Sequence, residues 1–177
     1  FRMVEELLSS RRVFHGRLVS VRQDEVRLPE GRESMREVVE HPGAVGILPV
    51  DRAGNLILVR QYRYAVEREL LEIPAGTREP GEPPRDCAIR ELKEETGLSA
   101  GRIEWMTSFY VSPGWCTEEL IIYRATDLTQ GDTELEVDEQ LEPVVIRPAD
   151  VPGLMRDGVI GDAKTVTAIL VHLQSVG

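Results

Sequence analysis

The chain has 177 residues, 41% of them hydrophobic and 29% charged, and 31 acidic against 21 basic residues give a formal net charge of -10. A chain this long is one domain, or one domain with a small appendage, and buries roughly 70% of the surface its unfolded form exposes, so it folds without a disulfide or structural metal. The acid excess excludes a nucleic-acid or anionic-membrane surface, which needs a basic face, and suits cations, or anions bound through them. The two cysteines, Cys87 and Cys116, have no CxxC spacing, and no stretch approaches the ~18 consecutive apolar residues of a membrane span. A reduced, cytoplasmic chain is expected.

Residues 13–22 and 34–41 alternate polar with apolar around a turn-rich Pro29-Glu30-Gly31. This predicts a β-hairpin or small antiparallel sheet, too polar to bury much by itself and therefore expected to pack on something else, such as another subunit. Two mostly apolar strands follow, residues 44–50 and 55–59, joined by a turn at Asp51-Arg52-Ala53-Gly54 as in a buried mixed sheet. A short apolar run, 70–73, ends at Pro74-Ala75-Gly76, and a Gly/Pro/Glu-rich loop leads to a helix over 84–96. Proline suits its first turn, and Gly97 stands where a left-handed cap is expected. Strands are predicted near 102–111, 119–125 and 141–146. In the last helix, 162–175, Asp162 is the N-cap and Ala163, Val166, Ile169, Leu170 and Leu173 share a face. The order of strands, helix, strands, helix reads as α/β (α+β), a mixed sheet sandwiched by helices.

Glu91, Glu94 and Glu95 fall on one face of the first helix, where like charges three or four residues apart cost roughly 0.2 to 0.5 kcal/mol each. Either they form a solvated face beside Arg90 and Lys93, or they line a pocket with Glu82 and a backbone carbonyl of the Pro-Ala-Gly turn. The second arrangement is the all-oxygen set that hard divalent cations prefer.

The wider spacing goes further. Gly76, five residues, Glu82, seven residues, then Arg90-Glu91-Leu92-Lys93-Glu94-Glu95-Thr96-Gly97-Leu98 resembles the Nudix box, GX5EX7REUXEEXGU, at every specified position. A chance match is on the order of one in ten million. The resemblance implies the Nudix fold, an α/β/α sandwich with a mixed sheet, and a hydrolase of nucleoside-linked pyrophosphates. In the box, Gly76 is expected to let the loop turn so that the Ala75 carbonyl faces the metals, and Gly97 to end the helix. Glu91 and Glu95 are the principal metal ligands that the resemblance implies, and Glu94 is a bridging ligand or proton acceptor. Arg90 orients a glutamate; Glu82 either ligates metal or pairs with Arg90.

Three flanking segments resemble the ADP-ribose pyrophosphatase (ADP-sugar hydrolase) subfamily: Ser112-Pro113-Gly114 with Glu118, the Val59-Arg60-Gln61-Tyr62-Arg63 run followed by Leu71-Glu72-Ile73-Pro74-Ala75-Gly76, and Arg36-Glu37-Val38-Val39-Glu40-His41. Arg63 and Arg36 suit diphosphate oxygens or the base, although each is equally a candidate for an ordinary ion pair. Glu37 and Glu118 are candidates for base or ribose hydroxyls, and Pro113-Gly114 for shaping a loop over the terminal ribose. Residues 132–142 carry six acids and no base. By resemblance a glutamate there activates the attacking water; Glu139 matches best and Glu136 second, with Val137 where another acid often stands, and the box glutamate Glu94 is the alternative. The implied activity is Mg2+-dependent hydrolysis of ADP-ribose to AMP and ribose 5-phosphate, with two or three ions and Mn2+ or Zn2+ as substitutes. Another nucleoside diphosphate sugar, a dinucleotide, or a non-catalytic nucleotide sensor are the rival readings.

By the same resemblance, residues 1–42 form an N-terminal β-sheet segment for dimerisation and substrate contact, swapped across a homodimer, and residues 43–177 the hydrolase domain. Of the -10, residues 76–98 supply -2 (six acids, four bases) and residues 132–142 supply -6. Most of the excess lies in the two segments expected to meet around metal.

Overall fold

The computed structural model describes residues 4–131 and 141–176. They cluster into two compact units, one of Phe1–Gly43 with Tyr110–Glu119 and one of Ala44–Phe109 with Leu120–Gly177. Among the described residues no helix is long and apolar enough to cross a membrane.

The first unit is built on an antiparallel sheet of β1 (Glu6–His15), β2 (Ser20–Arg27) and β3 (Glu33–Glu40), in that order. Residues 13–22 are thus not one strand. Gly16 N–H donates to the Val19 carbonyl at 2.9 Å and reverses the chain; a turn of mixed polarity continues the alternation of its flanks, so the pattern alone does not show the break. The expected turn at Pro29-Glu30-Gly31 is present, with Gly31 at φ 88°. The sheet carries a ladder of charged pairs, including Arg27 to Glu6 at 2.9 Å and Arg22 to Asp24 at 2.7 Å. Leu7, Val13, Phe14 and Leu18 are more than two-fifths exposed.

The second unit is organised around β4 (Ala44–Pro49), buried along its whole length. Side chains alternate across a strand. Ala44 and Leu48 join a cluster with Ala168 and Ile169 of α3 (Ala163–Val176), whereas Val45 and Ile47 join one with Ala88 and Leu92 of α1 (Pro84–Thr96). One strand covered by a helix on each face is the expected α/β/α sandwich, and the continuous apolar run of residues 44–50 is its sequence signature. The sheet has the order β7 (Ala75–Thr77), β4, β9 (Glu119–Gln130), β8 (Leu98–Tyr110) and is mixed: β4 runs parallel to β9 and antiparallel to β7.

A second sheet holds β10 (Glu142–Ile146), β5 (Leu56–Arg63) and β6 (Arg68–Glu72) in antiparallel pairing. The strands on either side of the Asp51 turn therefore stand in different sheets and share only the Val50–Leu56 bridge. The Asp51 carboxylate accepts the N–H groups of Ala53 and Asn55, both at 2.8 Å, and closes the corner where the chain changes sheet. A short helix, α2 (Val151–Arg156), follows a 3-10 turn at Pro148–Asp150. Its six residues are too few for a helical period to show in the sequence.

Helix α1 begins and ends, and α3 begins, as their sequences require. Pro84 opens α1, and Gly97 closes it at φ 70°, its N–H bonded to the Lys93 carbonyl at 2.8 Å. Asp162 accepts the Thr165 N–H at 3.0 Å as the N-cap of α3. The buried face of α3 is rotated from the expected one: Thr165, Ala168, Ile169 and His172 are buried, while Ala163, Leu170 and Leu173 are exposed. Polar Thr165 and His172 masked that face in the apolar pattern. Alanine at Gly97 must adopt a left-handed conformation at a cost of about 1 to 2 kcal/mol. Urea denaturation of Gly97→Ala should show that loss with an unchanged slope.

Candidate functional site

Helix α1 presents its carboxylates because its apolar residues fix its rotation. Ala88 and Leu92 face the sheet, which leaves Glu91 and Glu95, one turn apart, at the edge of that interface. Both are buried, at 9% and 4% exposure. Buried carboxylates need compensation, and Arg90 supplies much of it. Its guanidinium donates from Nε and Nη2 to the two oxygens of Glu82 at 2.9 and 3.0 Å, and from Nη1 to Glu91 at 2.7 Å and Glu94 at 2.9 Å. Hydrogen bonding from Arg90 holds the Glu82 carboxyl down at about 2, and the same bond raises the guanidinium above its ordinary value. Of the two roles open for Glu82, the structure places it as the partner of Arg90.

Gly76 has a different reason from the one expected. It is not among the glycines with positive φ; instead, a Cβ built on it would coincide with the Glu91 carboxylate. The glycine is needed for close approach rather than for a sharp turn. Next to it, Ala75 N–H donates to Glu95 Oε2 at 3.2 Å. Cys87, on the same helix, is buried, and burial pushes its thiol up to about 12. It is a packing residue, not a nucleophile.

A second charged group adjoins the box. Arg63, at the end of β5, forks onto Glu72 of β6 at 2.9 and 2.7 Å. Glu72 is 1% exposed and also receives Lys164 Nζ, which in turn bonds Asp162 at 3.0 Å. Although burial alone would raise it, hydrogen bonds from Arg63 and the charge of Lys164 leave the Glu72 carboxyl below its ordinary value. The Arg63 guanidinium is raised, chiefly by Glu72, and also feels the charges of Glu95 and Asp162. Arg63 is thus within electrostatic reach of Glu95.

Residues 71–75 are tied down one by one. Leu71 N–H reaches the Val159 carbonyl at 2.9 Å, Ile73 N–H the Thr165 hydroxyl at 2.9 Å, and the Pro74 carbonyl accepts Ile47 N–H at 2.8 Å. Sequence reading missed Glu72 and Lys164 as members of the site. The available signals were an acid inside the apolar run 70–73 and a lysine two residues after a helix N-cap.

The remaining expected residues fall in the first unit. Arg36, on β3, forks onto Glu5, and Glu37 accepts from Gln23 at 3.4 Å. Neighbouring residues on a strand point to opposite faces, so Arg36 and Glu37 diverge. Ser112, Pro113 and Gly114 begin a loop in which the Ser112 carbonyl accepts N–H from Trp115 and Cys116 at 3.1 and 2.9 Å, and the Glu118 carbonyl accepts Val111 N–H at 3.1 Å. This loop is stitched to the end of β3 by Val39 N–H to the Trp115 carbonyl and Thr117 N–H to the Val39 carbonyl, at 2.8 and 3.0 Å. Glu136 and Glu139, with most of the acidic stretch, lie outside the described residues.

Among the described residues, no three His, Cys, Asp or Glu side chains are gathered into a ready cage for a metal ion. Arg90 has drawn Glu82, Glu91 and Glu94 onto itself. The donor chemistry nevertheless fits a divalent cation: an all-oxygen set, two members buried one helical turn apart, with the Glu91 carboxylate occupying the space that a Cβ on Gly76 would need.

Comparison with known proteins agrees with this geometry. Residues 40–169 match the family model described as NUDIX domain, and residues 5–39 that described as nucleoside diphosphate sugar hydrolase N-terminal domain. The chain is 39% identical over 167 residues to an ADP-ribose pyrophosphatase of Bacillus subtilis, covering 93% of this chain and 90% of that protein. It is 37% identical, with the same coverage, to a methanol dehydrogenase activator of Bacillus methanolicus. A solved ADP compounds hydrolase superposes with a TM-score of 0.87 at 26% identity, covering 97% of this chain and 94% of the other.

Glu82 carries a pH signature. Its folded carboxyl lies below its ordinary 4.5, at about 2, so its contribution to stability is complete above pH 4.5 and is lost as pH falls towards 2. Glu82→Gln should flatten stability across that acid window while leaving its slope near neutral pH unchanged, as measured by urea unfolding at a series of pH values.

Proposed function

We infer the activity of this chain from its kinship: it belongs to the NUDIX domain family. We propose that it hydrolyses the pyrophosphate bond of ADP-ribose and related ADP-sugars, giving AMP and ribose 5-phosphate, with a divalent cation as cofactor. The observation that carries this reading is the pair of buried carboxylates one turn apart, Glu91 against Gly76 and Glu95 on the Ala75 N–H, with Arg90 holding Glu94 and Glu82 beside them. The names of the similar protein from Bacillus subtilis and of the superposing hydrolase support the choice of substrate.

The Ala75 carbonyl, Glu91, Glu94 and Glu95 would hold two or three Mg2+ ions, with Mn2+ or Zn2+ as substitutes in an oxygen-rich site. Bound there, the ions neutralise the diphosphate and lower the pKa of water. The protein's own residues do the rest. Arg90 keeps the glutamates apart from one another and oriented. Arg63, held by Glu72 at the end of β5 and 42% exposed, forks onto diphosphate oxygens. Glu139, with Glu136 and Glu94 as alternatives, takes the proton from water. The water oxygen bonds to one phosphorus, and the bridging oxygen departs with the other.

Nucleoside recognition falls to Arg36, Glu37, Glu118 and the Ser112-Pro113-Gly114 loop. The backbone bonds that stitch this loop to β3 support assigning them to one surface. The N-terminal sheet serves a homodimer; the exposed Leu7, Val13, Phe14 and Leu18 supply apolar area for a second copy.

Two outcomes are expected. Glu95→Gln should lower kcat for ADP-ribose by about 100-fold or more with an unchanged thermal midpoint in the absence of Mg2+; retained turnover would contradict its metal-holding role. In a panel of nucleoside diphosphate sugars, dinucleotides and oxidised nucleotides, ADP-ribose should have the highest kcat/KM. A rival ahead by about tenfold, some 1.4 kcal/mol of transition-state stabilisation, would overturn the substrate assignment.

A further inference from the structure

Two cations, Arg63 and Lys164, share one buried carboxylate. Glu72 is 1% exposed, Lys164 13% and Asp162 16%, whereas Arg63 is 42% exposed. The four groups balance in charge, and their only half-open member is the arginine. Lys164 is clamped between Glu72 and Asp162, two residues after the cap of α3. Arg63 forks onto Glu72 from the other side and lies in the field of Glu95.

This arrangement sets a condition on ligand binding. A diphosphate that recruits Arg63 competes with Glu72 for the guanidinium, and a carboxylate stripped of its partner in a buried site carries a large desolvation penalty. If Arg63 were the sole counter-ion of Glu72, that penalty would oppose every binding event. The ammonium of Lys164 sees less solvent than the Arg63 guanidinium and is bonded to Asp162 as well as to Glu72.

We propose that Lys164 is a positioning residue that keeps Glu72 neutralised while Arg63 turns to the substrate diphosphate, so that the base of α3 sets substrate affinity. This rests on the reading of Arg63 as a diphosphate ligand given above. Lys164 touches neither substrate nor metal and acts only through Glu72. The shared carboxylate is a releasable clasp: it parks Arg63 in a defined direction in the empty enzyme and gives it up without leaving a bare buried charge.

The test is a charge cycle read as KM against kcat for ADP-ribose with Mg2+. Lys164→Met should raise KM about tenfold, because Glu72 then retains Arg63, with kcat within about threefold of wild type. Lys164→Arg, which keeps the charge, should keep the wild-type KM. Adding Glu72→Gln to Lys164→Met should return KM to the wild-type value, since no buried charge is left to hold the arginine. A purely structural role would instead lower the thermal midpoint further in the double variant and leave KM raised. An unchanged KM in Lys164→Met, or a rise that Glu72→Gln does not relieve, overturns the proposal. Should Lys164→Met not fold, Glu72→Gln alone decides: KM at or below wild type supports it, and a raised KM overturns it. Calorimetric titration of the same proteins with Mg2+-ADP separates the two readings. The same pattern of affinities without turnover would sink the ADP-ribose activity and support the clasp, and affinities that do not vary would sink the clasp whatever the activity.

Discussion

The second unit of this protein depends on the guanidinium of Arg90. Three glutamates on one helix face, two of them buried, would repel one another and the rest of the loop that precedes them; Arg90 answers Glu82, Glu91 and Glu94 together through four hydrogen bonds. Only a planar fork with several fixed donors does this, and a lysine at the same place would satisfy one carboxylate at a time. By binding Glu82, Arg90 also draws in the Gly/Pro-rich loop, where Glu82 in turn accepts the Glu79 N–H at 3.0 Å. The helix can then press Glu91 against Gly76, where no side chain fits. An acidic surface that should be unstable is thereby held ready for a cation.

The sandwich delivers that surface to the right place. Strand β4 is covered on both faces, by α1 through Val45 and Ile47 and by α3 through Ala44 and Leu48. Strand β7, which carries Ala75 and Gly76, pairs with β4 at Gly46, Val45 and Ala44. The two helices therefore approach the same few residues from opposite sides. From α1 comes Glu95 on the Ala75 N–H; from α3 come Thr165 on the Ile73 N–H and Lys164 on Glu72. A site built on strand and helix termini in a close-packed core is held more accurately than one built on loops alone.

Much of this was legible in the sequence, for physical reasons that differ by element. Helix α1 was readable to the residue because proline and glycine punctuate it, and β4 because a strand buried on both faces has no polar residues to interrupt it. The box spacing led to the glutamates, since metal ligands must recur at the helical period. What escaped was set by tertiary partners. Strands β4 and β5 look like a hairpin, but Asp51 turns the chain into another sheet. Thr165 and His172 face inward, which no hydrophobic pattern anticipates. Gly76 was read as a turn residue, whereas its need comes from a carboxylate fifteen positions away in sequence. Glu72 and Lys164 are ordinary charges until the fold brings strand and helix together. Glu136 and Glu139, the expected proton acceptors, stand outside the described residues with most of the acidic stretch 132–142.

On the proposed reading, Glu91 against Gly76 and Glu95 on the Ala75 N–H, both positioned by the packing of α1, form a seat for a divalent cation. Binding to the folded state alone must raise stability with ion concentration, by about 2.7 kcal/mol at a hundredfold excess over the dissociation constant. The most direct measurement is the thermal midpoint of the protein as Mg2+ is added, in parallel with a variant carrying both Glu91→Gln and Glu95→Gln. The account predicts a rise with the logarithm of Mg2+ concentration in the native protein and a flat response in the variant. A flat response in the native protein, or an equal rise in both, would contradict it.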